Sequence, residues 1–103
     1  MSHYRKFAIQ TYRNVGESSA RRIRAHPLPG QGVDTNLRVE CSTKMRESHS
    51  VGTIFIIDAM LKYGRDDAPC LATHYNWPYE VVTLEQAQHH IASHFSAHRE
   101  RKI

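Results

Sequence analysis

Val51-Gly52-Thr53-Ile54-Phe55-Ile56-Ile57-Asp58-Ala59-Met60-Leu61 is the stretch whose reading decides the fold. Its β-branched and aromatic content favours an extended chain. Both alternating faces are apolar, as a strand buried on two sides requires. A helix competes, because Phe55 to Lys62 can also wind, but Gly52 and the β-branched run tip the reading towards a central strand.

On the N-terminal side, three segments alternate. Tyr4 to Arg13 sets Phe7, Ile9 and Thr11 against Ala8, Gln10 and Tyr12. Arg22-Ile23-Arg24-Ala25-His26 turns Arg22, Arg24 and His26 to one face of a strand. Leu37-Arg38-Val39-Glu40-Cys41 is the cleanest alternation in the chain, apolar in and charged out. Asn14 to Ser19 carries turn chemistry, and Pro27-Leu28-Pro29-Gly30-Gln31-Gly32 forbids regular pairing and makes a stiff loop. Ser42 can cap a single helical turn over Thr43 to Glu47.

On the C-terminal side, Gly64 to Pro69 is a turn, and Cys70 to Trp77 reads as the returning strand of a hairpin. Pro78 interrupts it, and Tyr79 to Val82 resumes at an edge. Thr83-Leu84-Glu85-Gln86 has the capping-box pattern. Leu84, Ala87, Ile91 and Phe95 then recur at helical spacing, predicting an amphipathic helix over 84 to about 98. The expected fold is α+β: a small curled, mostly antiparallel sheet or partly open β-barrel of five or six strands, with one C-terminal helix. At 103 residues the whole chain, 1–103, reads as one domain.

Charge is divided unevenly along this fold. The formal net charge is +4. Residues 1–50 hold nine Lys/Arg against four acids, and residues 51–103 hold five against six. A region of positive potential attracts phosphates or acidic partners. The residues expected to contact nucleic acid are Arg13, Arg21, Arg22, Arg24, His26, Arg38, Lys44 and Arg46, joined by Trp77 as a stacking surface. Arginine suits this role because its planar fork binds phosphate in a bidentate way. Tyr4, Tyr12, Tyr75 and Tyr79 extend the stacking surface, and small β-barrels hold single strands with this pairing of basic groove and aromatics. The plainer reading is a solvated strand face whose aromatics belong to the core.

Other chemistries find thinner support. His90, His94 and His98 fall on one stripe of the C-terminal helix, beside its apolar stripe, but no carboxylate, Cys or HExxH completes a metal site. A solvated boundary face is the expected role. Cys41 and Cys70 are two isolated thiols whose spacings to His49 and His74 match no zinc motif. They read as small buried hydrophobes in a reducing, intracellular, cytoplasmic protein. The four-residue apolar run Ile54–Ile57 is too short to cross a membrane, and no apolar stretch follows the N-terminal charges to make a secretory signal. No cofactor loop, P-loop or nucleophile elbow is present. A metal-independent ribonuclease needs only a general base and acid beside a cation, types that His26, His74, Arg24, Lys44 and Glu40 supply.

The sequence therefore expects a small nucleic-acid-binding module for DNA or RNA, without cofactor, metal or membrane. The alternative is an adaptor that offers the basic face to an acidic protein, or the Trp77 patch to an apolar one. An edge strand can pair two copies into a homodimer.

Overall fold

Six strands and two helices appear in a computed structural model that describes residues 4–13, 23–63, 69–74 and 77–95. In chain order they are β1 (Arg5–Arg13), β2 (Ile23–Pro27), β3 (Arg38–Glu40), α1 (Thr43–Glu47), β4 (Ile54–Lys62), β5 (Cys70–Ala72), β6 (Tyr79–Val82) and α2 (Leu84–Phe95). The central stretch is a strand, as expected, though its first three residues turn into it. Gly52 sits at φ +100, where a side chain is strained, and its N–H donates to Thr11 Oγ1 at 3.0 Å.

β4 organises everything else. One edge of it pairs antiparallel with β1, setting Phe7 opposite Ile57 and Ile9 opposite Phe55. The other edge is shared: residues 54–57 pair with β6 and residues 60–62 with β5. The hydrogen-bonded order is β2-β1-β4-β5-β3, with β6 branching from β4. β2 and β3, the two ends of that order, approach each other without forming a ladder. The sheet is thus a nearly closed barrel with a seam between β2 and β3.

Not every pair is antiparallel. β3 runs parallel to β5. α1 carries the chain out of β3 to start β4, and β5 then returns into the place beside β3, so the two strands point the same way. β5 is also shorter than expected, ending at Ala72 rather than Trp77. Past it, Trp77 N–H donates to His74 O at 3.0 Å.

Phe7, Ala8 and Ile9 are buried in succession, and so are Ile54 to Ile57. Consecutive burial means that both faces of β1 and β4 are covered, one by the curl of the barrel and one where α2 crosses β1, β4 and β6. α1 begins where Ser42 Oγ accepts from Met45 N–H at 3.3 Å, and it buries Met45 in the core. α2 begins with the capping box: Thr83 Oγ1 accepts from Gln86 N–H at 3.1 Å, and Gln86 Oε1 accepts from Thr83 N–H at 2.9 Å.

The packing stripe of α2 differs from the expected one. Leu84 is 52% exposed, because it opens the helix where the chain has only just left the edge strand. His90, expected on a solvated boundary, is 9% exposed and takes a place in the stripe with Ala87, Ile91 and Phe95. A polar ring is tolerated there because its Nε2 meets Lys6 O at 3.0 Å, satisfying the buried nitrogen. The described helix ends at Phe95, and His98 lies outside the described residues. No helix among the described residues is long and apolar enough to cross a membrane.

Candidate nucleic-acid interface

Three arginines meet at the seam. Arg24 reaches it from β2, Arg38 from β3 and Arg46 from α1. They line a cleft of about 460 Å³ together with Tyr12, Glu40 and Cys41. Each arrives by a local rule. Arg24 alternates with the buried Ala25, Arg38 and Glu40 flank the buried Val39, and Arg46 follows the buried Met45. Residues far apart in sequence meet here because the barrel brings its two ends together.

The cleft is not purely cationic. Arg38 Nη2 donates to Glu40 Oε2 at 3.0 Å, in an ion pair whose members are both about half exposed. Such a pair is worth little and opens readily to a competing anion. Tyr12 lies against His26 across the β1–β2 ladder, ring centroids 5.4 Å apart, and His26 Nδ1 donates to Pro27 O at 3.0 Å. Cys41 completes the wall. Burial pushes its thiol above the usual 9.0, with the Arg46 guanidinium pulling weakly the other way. It is therefore a protonated thiol at neutral pH, not a nucleophile.

Six of the residues expected at a nucleic-acid face are not seen in the lining of the cleft, His26 among them. Arg13 sits exposed at the end of β1, outside the lining of the cleft. Arg21 and Arg22 lie outside the described residues. Lys44 points away from the seam, into a second pocket of about 270 Å³ on the other side of α1. Trp77 lines that second pocket too, with His74, Pro78 and Tyr79. The aromatic patch and the basic cleft are thus neighbours across one short helix rather than one surface.

The ribonuclease set is divided in the same way. Arg24 and Glu40 line the seam, whereas His74 and Lys44 line the second pocket. Cys41 and Cys70 are free thiols, and Cys70 is buried in β5. Among the described residues no three His, Cys, Asp or Glu side chains gather closely enough to hold a metal ion.

Sequence reasoning passed over Asn36 and Cys41 as members of the cleft. Neither carries a local signal. Cys41 reads as a strand hydrophobe, and only the approach of β2 to β3 turns it into a wall. No known protein family, curated protein or solved structure matches the chain.

Proposed function

We propose that this protein binds nucleic acid, using the seam of its barrel as a phosphate site. What supports the reading is the convergence of Arg24, Arg38 and Arg46 from three different elements on one cleft. Against those three guanidiniums the lining sets one carboxylate, Glu40, so the cleft is net positive, and each arginine can grip a phosphate bidentately. Tyr12 supplies a flat surface at the mouth, where a sugar or base next to a bound phosphate would rest.

The test is binding of labelled single-stranded DNA and RNA across a salt series. Three phosphate contacts on a single strand give a log–log slope of about −2, and each arginine removed lowers its magnitude by about 0.7. Arg24→Ala/Arg38→Ala should therefore weaken binding and flatten the slope, while circular dichroism shows the fold retained. Binding that ignores both salt and these substitutions sinks the proposal.

A second reading has one observation in its favour. β2 and β3 end the hydrogen-bonded order, so an extended acidic segment of a partner protein, or a second copy of this chain, could add to one of them as a strand. An acidic peptide that displaces the oligonucleotide, or a concentration-dependent dimer in sedimentation, would move the assignment that way.

A further inference from the structure

The two concavities flank α1, and the helix serves both. Buried Met45 pins it to the core. Its neighbours diverge, Lys44 into the aromatic pocket and Arg46 into the seam. A chain molecule lying across α1 meets cations on each side and then a pocket walled by Trp77, His74 and Tyr79.

We propose that this pocket receives one unstacked base of a single strand whose phosphates lie on the arginine seam, so that the ligand is single-stranded rather than duplex. The inference rests on the phosphate reading of the seam. Three features of the pocket carry it. The indole of Trp77 already carries a flat heteroaromatic ring, the His74 imidazole, at 5.6 Å between centroids and 28° between planes. A base stacks in the same geometry and can take the place of that exposed imidazole.

The aromatic walls are also held before anything binds. Tyr4 meets Trp77 edge-on at 4.3 Å, and Tyr79 is braced by Phe55 at 5.3 Å and by a 3.2 Å hydrogen bond between its hydroxyl and His49 Nε2. Fixed walls lower the ordering cost of binding. Finally, Ser42, Ser48, Thr73 and Lys44 rim the pocket with donors and acceptors for the edge of a base. A base inside a duplex has both faces stacked and its edge paired, so it cannot enter such a pocket without being extruded.

Trp77 is the sole tryptophan of the chain, so its fluorescence reports this pocket alone. The experiment titrates the protein with oligo(dT), with a phosphodiester chain of equal length carrying abasic sites, and with a duplex of that length. The oligo(dT) should bind about 5- to 150-fold tighter than the abasic chain, the worth of one stacked base, and should quench Trp77. Tyr79→Ala, a change at an exposed edge-strand residue, should erase most of that advantage while leaving the salt slope intact. Equal affinity for oligo(dT) and the abasic chain, or tighter duplex binding without quenching, overturns the base pocket and leaves the phosphate seam standing. Failure of all three ligands to bind at low salt removes both.

Discussion

Gln31 holds a loop that has no regular partner. It is 1% exposed, and its side-chain amide takes the place of a strand where Pro27 ends β2. Oε1 accepts from Ala8 N–H at 2.7 Å, while Nε2 donates to Ala8 O and to Leu28 O, each at 2.9 Å. Ala8 O keeps a second partner in Leu28 N–H. Gln31→Leu therefore orphans Ala8 N–H and Leu28 O, and should cost about 3 kcal/mol in a urea denaturation series. The sequence placed Gln31 in a Pro/Gly loop and gave no sign of this role, because a side chain that mimics backbone has no periodicity. Cys41 makes a second residue-level prediction. Its buried thiol keeps its proton to higher pH than the unfolded chain does, so it lowers stability only as the pH rises through about 9. Arg46 favours the thiolate. Arg46→Gln should therefore move the pH profile of Cys41 alkylation, followed by peptide mass spectrometry, to higher pH. A profile that stays put would mean the guanidinium does not act on the sulfur.

Helix α2 shows which parts of an element are written locally. Its start was legible, because a capping box depends on Thr83 and Gln86 alone. Thr83→Ala should cost about 1 kcal/mol, read as a fall in thermal midpoint. Its buried face was legible only in part. Spacing picks out Leu84, Ala87, Ile91 and Phe95, yet the helix turns Leu84 to solvent and seats His90 on the Lys6 carbonyl. What fixes that rotation is the surface it meets: a Cβ on Gly30 would come within 3.2 Å of Ile91 Cγ2, so the helix lies close over the loop. Gly30 also has φ +95, and Gly30→Ala should destabilise through both strain and contact, by about 1–3 kcal/mol in the same denaturation assay. α1 was legible for the same reason as the start of α2, since Ser42 caps it from the adjacent residue. The parallel pairing of β3 with β5 was not, because strand direction depends on where the chain returns and not on its residues.

At the scale of the whole molecule the seam is the feature that matters. If it holds phosphate, an oligonucleotide bound only by the folded state must raise stability, by about 2.7 kcal/mol at a hundredfold excess over its Kd. Differential scanning fluorimetry at matched ionic strength should show that gain with oligo(dT), and Arg24→Ala/Arg38→Ala should reduce it. An unchanged melting temperature under saturating oligonucleotide would count against any site built by the fold. By itself the sequence determined the elements: a two-sided apolar run made the central strand, alternation made β1 to β3, and caps began both helices. It also determined that positive charge belongs to the first half of the chain. These properties rest on contacts between near neighbours, and a string of residues records them. Only the tertiary structure decided that β2 and β3 face each other across a gap, that Arg24, Arg38 and Arg46 share it, and that Trp77 lies across α1 from them. Those are long-range facts, set by how β4 divides one edge between β5 and β6 and so bends the sheet almost shut.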